Sequence, residues 1–371
     1  MFYSQLISII ILVPDILLDK YSLKEDIIMI LVITAFGIYS LYYQKYVITS
    51  SNVSKSNVTL YFTGDVMLGR GVDNLLGSGQ NVFRDVDPLF LNSDGAIVNL
   101  EDPLTTSTTN FKLTVPLKAN PKYTYELKDN NVIVTCLANN HIMDYGDLGL
   151  NNTISALQSN GLNYTGAGQN LNQATTPVNL NIKGRKIAVL NYMDNSSFTG
   201  FLPSELPAAT LDSPGYAPAD WNVIKKNIDE SKNNSDLTVV VFHYGNEYST
   251  VPNPSQIDLS HKCIDEGADM VIGSHPHVIQ PIEIYKGKPI FYSLGNFVFD
   301  QSNVATHSSL MVELNLVGNE AKVVVHPMIL VGSIPRPMDN SSGTAILEKL
   351  NSPSLNMTIN GGYGYLTFPL E

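Results

Sequence analysis

Apolar runs closed by polar clusters recur along this chain. Residues 58–63, Val-Thr-Leu-Tyr-Phe-Thr, are β-branched and aromatic and predict a strand. The run closes in Gly64-Asp65-Val66-Met67-Leu68-Gly69-Arg70. Residues 95–98 predict a second strand, ending in Asn99-Leu100-Glu101. Residues 132–137 predict a third, ending in Ala138-Asn139-Asn140-His141. Helical spacing takes over at 148–160 and stops at Gly161. Residues 186–190 predict a strand, 221–231 a helix, and 237–242 a strand that closes in His243-Tyr244-Gly245-Asn246-Glu247-Tyr248. A helix over 255–266 leads into the apolar run 268–272 and then Gly273-Ser274-His275-Pro276-His277. A further strand, 289–294, ends in Gly295-Asn296-Phe297, and 310–317 with 322–327 flank Gly318-Asn319 as a hairpin. From Ser341 the chain is polar and Gly-rich, and its pattern predicts little.

The repeat of strand, polar cluster and helix predicts an α/β fold, in which ligands bind beyond the carboxyl ends of the strands. The N-terminus differs. Residues 6–18 are apolar but broken by Pro14 and Asp15. Residues 27–43 carry no charge and end in Tyr39, Tyr42 and Tyr43, the pattern of a membrane span with an interfacial aromatic belt. No small-residue cleavage site follows directly, so an uncleaved anchor is expected. The organisation read from sequence is a membrane-anchor region at 1–48, a Ser/Asn-rich linker at 49–57, a main domain at 58–335 and a C-terminal extension at 336–371. Lys20 and Lys24 before the span nearly balance Lys45 and Lys55 after it. The expectation adopted is a cell-membrane protein with a single-pass anchor and an extracytoplasmic domain. Residues 194–218 contain Pro203, Pro207, Pro214 and Pro218, and a loop of this length reads either as a lid or substrate-binding segment or as an ordered excursion without a role.

Composition narrows the function. The 371 residues are 44% hydrophobic and 15% charged, as in a globular protein with a sizeable core. A formal net charge of −12 argues against nucleic acid as a partner, because phosphate binding needs an excess of Lys and Arg. Cys136 and Cys263 sit among apolar residues and read as buried thiols.

The polar clusters at the strand ends supply Asp65, Glu101, Asn140, His141, His243, Glu247, His275 and His277. Carboxylate, amide and imidazole groups at one structural position on several strands suit one or two divalent metals of the borderline kind, Mn, Fe or Zn. Each group has a plainer role available, as a helix cap, a solvated carboxylate or a core histidine. Their recurrence on strand after strand favours a site assembled by the fold. Within it, His141 is placed to protonate a leaving group, Arg70 to hold an anionic substrate, and Glu247 to orient His243 or touch substrate.

Six segments together resemble the poly-γ-glutamate capsule-synthesis (CapA-type) family, a branch of the calcineurin-like metallophosphatases. They are Thr63-Gly-Asp-Val-Met-Leu-Gly-Arg70, Asn99-Leu-Glu101, Ala138-Asn-Asn-His141 with Asp144 and Gly146, His243-Tyr-Gly-Asn-Glu-Tyr248, Gly273-Ser-His-Pro-His277 and Tyr292-Ser-Leu-Gly-Asn-Phe297. The resemblance implies a four-layer α/β/β/α sandwich with metals at the strand ends. It implies Asp65, Glu101, Asn140, His243, His275 and His277 as metal ligands. Asn99, Asp144, Tyr244, Glu247 and Asn296 are expected to contact substrate or orient those ligands. Glu101 stands where the wider phosphatases have a bridging Asp, Met67 where many have a ligating His, and Tyr244 where the family often has Trp. The partners implied are an anionic polymer or its phosphorylated precursor and other membrane subunits of a polymer synthase. The chain lacks a Gly-x-x-x-x-Gly-Lys-Ser/Thr loop, in keeping with ligation on a separate subunit. Three readings remain: a capsule-assembly, export or trimming factor with a metal site, a general metal-dependent phosphoesterase, and a scaffold or polymer-binding subunit that keeps the fold without turnover.

Overall fold

Long apolar strands buried on both faces dominate the chain from residue 56 onward. The structure, a computed structural model, describes residues 34–35, 37–38, 40, 56–112, 114–196, 198 and 203–370. Two units are distinguished, Met1–Ser54 and Lys55–Glu371. Of the first, Thr34, Ala35, Gly37, Ile38 and Ser40 are described, all helical. The expected segment 6–18, and the expected span 27–43 apart from these residues, lie outside the described residues. Among the described residues no helix is long and apolar enough to cross a membrane.

The strands, in chain order, are β1 (Val58–Val66), β2 (Gly95–Leu100), β3 (Val132–Cys136), β4 (Asn163–Thr165), β5 (Ala167–Gly168), β6 (Val178–Ile182), β7 (Arg185–Met193), β8 (Gly215–Tyr216) and β9 (Leu237–His243). They continue as β10 (Met270–Ser274), β11 (Ile282–Tyr285), β12 (Lys288–Phe291), β13 (Asn296–Val298), β14 (Ser308–Val317), β15 (Glu320–Val331), β16 (Ile334–Pro337), β17 (Thr358–Asn360) and β18 (Tyr363–Pro369). A ten-stranded sheet runs β17-β18-β15-β14-β1-β2-β3-β4, with β13 on β1 and β16 on β15. A six-stranded sheet runs β11-β12-β10-β9-β7-β6. In the first, β1 to β4 are parallel; in the second, β7, β9, β10 and β12 are. The antiparallel strands sit to the side of each parallel block.

Alternation along the strands builds the layers. Val58, Leu60 and Phe62 of β1, Ile97 of β2 and Val134 and Cys136 of β3 share one core with Ile187, Val189, Val239, Val241, Met270 and Ile272 of the other sheet. The intervening residues face the other way. Val98 and Leu100 join a second cluster with Leu150, Ile154 and Leu157 of the helix Gly146–Ser159. Val240 and Phe242 do so with Ile224 and Ile228 of the helix Trp221–Lys232. Burial on both faces is why these strands read as continuous apolar runs. The result is a mixed α/β sandwich.

Residues 336–371, expected as an extension, supply the helix Asn340–Leu350 and strands β17 and β18. β18 lies antiparallel to β15 from Glu320↔Pro369 to Val325↔Gly364 and so continues the ten-stranded sheet. Both cysteines are buried, as expected.

Candidate metal centre

The carboxyl ends of the two parallel blocks bring the predicted residues together. On β1 the register to β2 shifts between Phe62 and Asp65, and the register to β13 shifts again after Asp65. Such irregularities re-aim a side chain. Gly64 makes this one possible, because a Cβ there would lie 1.7 Å from the Gly295 carbonyl oxygen. Asp65 is thereby turned inward and fully buried. Its Oδ1 accepts from Asn99 Nδ2 at 2.8 Å, and its Oδ2 accepts from the His275 backbone N–H at 3.3 Å.

Glu101, one residue past β2, is also fully buried. Neither of its carboxylate oxygens has a hydrogen-bond partner. Its closest basic neighbours are His277 Nε2 at 3.8 Å and His141 Nε2 at 4.0 Å. Burial and the charge of Asp65 push its carboxyl well above the usual range.

His243 is the last residue of β9. Its Nδ1 meets Ser274 Oγ at 3.1 Å and its Nε2 meets Asn140 Oδ1 at 2.8 Å. His275 Nδ1 approaches the same Nε2 at 3.1 Å. Burial, then the neighbouring imidazoles, hold His243 and His275 well below the ordinary histidine range. Both are therefore neutral, the form in which imidazole ligates metals. His277 differs. Burial pushes it down, but Glu101, the hydrogen bond and charge of Asp65, and Asn296 outweigh that and raise it to about 9. Its Nδ1 lies 2.8 Å from Asn296 Oδ1 and 3.4 Å from Asp65 Oδ2. His275 and His277 both take positive φ, 96° and 60°. These are strained values for residues with a Cβ, and such strain gathers at functional sites.

A third group borders this cluster. His141 Nδ1 lies 2.6 Å from Asp144 Oδ2. Lys112, whose side chain is fully buried, reaches Asn140 O at 3.1 Å, His141 Nδ1 at 3.4 Å and Asp144 Oδ1 at 3.6 Å. Asn139 holds the turn by accepting from the backbone N–H of His141 and Ile142. Asp102 accepts from Leu68 N–H with both oxygens, and burial raises its carboxyl to about 7 against the pull of the Leu68 and Gly69 backbone. Sequence reading missed Lys112 and Asp102. Lys112 stands just after a Ser/Thr-rich stretch without periodicity, and its partners come from another loop. Asp102 carried a signal, its position beside Glu101, that was not used.

The remaining predicted residues fall as follows. Arg70, at φ 52°, pairs with Asp300 at 2.6 Å. Glu247 is exposed on the loop after β9, and the hydrogen bonds of His243 go to Ser274 and Asn140. Tyr244, expected to contact substrate or orient a ligand, is closed off from substrate. It is fully buried, stacks on Phe242 at 5.1 Å and meets Ser260 Oγ at 3.0 Å, because β9 continues its alternation into this position. Met67 packs in the apolar cluster with Leu68 and Val72. From the 194–218 loop, Phe198 stacks on His275 with ring centroids 4.0 Å apart.

Asp65, Glu101 and His243 offer ligand atoms that all lie within 4.8 Å of one another. Two buried carboxylates, one without a hydrogen-bond partner, are costly unless positive charge neutralises them. The mixed oxygen and nitrogen donors suit a borderline divalent metal, so the residues fit the metal that the family resemblance implies. Residues 59–301 match the family described as bacterial capsule synthesis protein PGA_cap. The chain belongs to this family. It is 36% identical over 319 residues to the PGA biosynthesis protein CapA of Bacillus subtilis (strain 168), covering 84% of this chain and 82% of that protein. It is 35% identical to the capsule biosynthesis protein CapA of Bacillus anthracis, covering 76% of this chain and 70% of the relative. A probable polyglutamine synthesis accessory protein of Mycobacterium tuberculosis is 31% identical, with 70% of this chain and 79% of the relative covered.

Proposed function

We propose that this PGA_cap member is a membrane-anchored capsule-biosynthesis protein with a four-layer metallophosphatase-like domain. Its buried site holds divalent metal and acts on a γ-glutamyl polymer, or on a phosphorylated precursor of it, during assembly, export or trimming. The observation that carries the reading is Glu101, buried and without a hydrogen-bond partner beside Asp65 and His243. Asp65, Glu101, Asn140, His243 and His275 would hold the metal, with His277 joining them once its proton is displaced. When bound, the metal supplies Lewis acidity and a water of lowered pKa.

The chain's own residues have separable tasks. Asp144 Oδ2 engages His141 Nδ1 and fixes the ring, so that Nε2 is the nitrogen left to exchange a proton with substrate. Lys112 and Asp144 keep that ring in place. Arg70, held by Asp300, and Glu247, exposed, stand ready for substrate contact. The anchor rests on residues 27–43, and the domain is placed outside the cytoplasm.

Metal analysis of the full chain, purified without chelators, tests the core of this reading. At least one equivalent of Mn, Fe or Zn is expected in the wild type and a large loss in Glu101→Gln. Wild-type protein free of stoichiometric transition metal would sink it. Release of phosphate or glutamate from the two substrate classes then separates the chemistries. His141→Ala should abolish turnover, and equal turnover would remove His141 from the role of acid. Accessibility labelling at single cysteines within 49–57 reports topology, and labelling from the cytoplasmic side alone would defeat the outward placement.

A further inference from the structure

Tyr248 stands apart from the residues assigned above. It is 48% exposed, a high value for an aromatic ring beside a buried site. Its φ is 63°, strained for a residue with a Cβ. Its backbone N–H donates to Pro276 O at 2.8 Å, which ties it to the turn between the two site histidines. Its ring centroid lies 6.1 Å from that of His277.

The side chain is also held at its tip. Gln301 Nε2 donates to Tyr248 Oη at 3.4 Å, and Asn296 Nδ2 donates to Gln301 Oε1 at 3.0 Å. Asn296 Oδ1 faces His277 Nδ1 at 2.8 Å. From behind, buried Gln280 donates to Ser249 O at 2.9 Å and to Val251 O at 3.3 Å, fixing the loop. The fold thus keeps one exposed aromatic face next to the site in a conformation the backbone resists. With about half its surface exposed beside the site, the side chain is free to meet a ligand there.

The kind of ligand follows from charge. The chain carries a formal net charge of −12, and Asp300 offsets part of the Arg70 charge. Away from the metal site the field of the chain therefore opposes a polyanion, and a neutral contact beside the metal adds recognition that this field does not weaken. We infer that Tyr248 is a specificity-determining residue whose ring stacks on the planar amide of a γ-glutamyl polymer bound across the site. This rests on the polymer reading above. The amides are the neutral planar groups that such a chain presents between its carboxylates, and their flat faces suit an exposed ring.

Titration calorimetry of the full-length Mn-loaded protein in detergent micelles tests it with two probes. One is an oligo-γ-glutamate of defined length. The other is polyacrylate of matched charge, which has carboxylates and no amide. Tyr248→Asn is the variant of choice, since Asn tolerates positive φ and the loop keeps its shape. Its affinity for oligo-γ-glutamate should fall about tenfold, the scale of one lost aromatic contact. Tyr248→Phe, which keeps the ring, should stay within about threefold of wild type. Any affinity for polyacrylate should be the same in all three proteins. Wild-type binding of oligo-γ-glutamate with no loss in Tyr248→Asn overturns the stacking role alone. An equal loss for both probes also overturns it, because the contact would then not read the amide. Wild-type protein that does not bind oligo-γ-glutamate overturns the polymer reading and this inference together.

Discussion

Glu101→Gln separates a metal ligand from an ordinary buried carboxylate. The two oxygens of Glu101 have no hydrogen-bond partner, and the nearest cationic nitrogen, His277 Nε2, is 3.8 Å away. At an effective dielectric of about 20, a full charge pair at that distance is worth about 4 kcal/mol. The desolvation cost of a buried carboxylate is several kcal/mol, and the Asp65 charge adds to it. The carboxylate therefore gives the metal-free fold little or no net stability. Gln keeps the shape and removes the charge, so the metal-free variant should melt at or above the wild-type temperature. Metal reverses the order. At a free metal concentration one hundred times Kd, the wild type gains about 2.7 kcal/mol. That is a Tm rise of roughly 5 °C for a domain of this size. The variant should gain less than about 1 °C under the same conditions, its affinity having dropped. Thermal scans of chelator-treated protein, with and without added Mn2+, provide both comparisons. A variant that melts well below wild type without metal, and rises as far with it, would refute the argument.

Three further outcomes are expected. Gly64→Ala would place a Cβ 1.7 Å from the Gly295 carbonyl oxygen, and should cost roughly 3 kcal/mol or more in urea unfolding as the end of β1 is forced from β13. Lys112→Met leaves Asp144 buried without its cation and should cost about 3 kcal/mol, whereas the double variant Lys112→Met/Asp144→Leu should recover much of that loss in the same assay. Burial raises the Glu313 carboxyl, but hydrogen bonds from His326, Asn315 and Tyr61 outweigh this and hold it below the usual range. A depressed carboxyl stabilises the fold above its unfolded pKa and loses that contribution as pH falls through the folded value. Glu313→Gln should therefore flatten the decline of Tm below about pH 4.3, and an unchanged acid limb would count against the pairing.

The strand ends were legible because the parallel strands are buried on both faces. A run such as Leu237-Thr-Val-Val-Val-Phe242 leaves little doubt where it stops, and the polar cluster after it marks the site. The C-terminal strands are half-exposed and flanked by Gly361 and Gly362. Leu366 and Phe368 are buried while Tyr365 and Thr367 are not, a short alternation that the glycines masked. Strand 289–294 ends at Phe291, because Tyr292, Ser293 and Leu294 leave the ladder to form the turn before β13. The positive φ values at His275, His277 and Tyr248 had no signal, since each residue type disfavours them and tertiary contacts impose them. Lys112 was hidden for a related reason, its burial being set by Asp144 rather than by its own surroundings in sequence.

The position of β1 has a temporal consequence. It precedes every other described strand in the chain, yet it pairs with β14 from Val58↔Leu316 to Phe62↔Val312 and places Asp65 opposite Asn296. Asp65 and Glu101 lie early in the chain, and His243, His275 and His277 lie late. The carboxylate and imidazole halves of the centre therefore cannot meet until most of the polypeptide has been made, and closure through such distant partners is slow. On the proposed reading, metal would load late in folding, and the ion acquired would depend on the supply in the compartment where the chain finishes folding as well as on the donors that receive it.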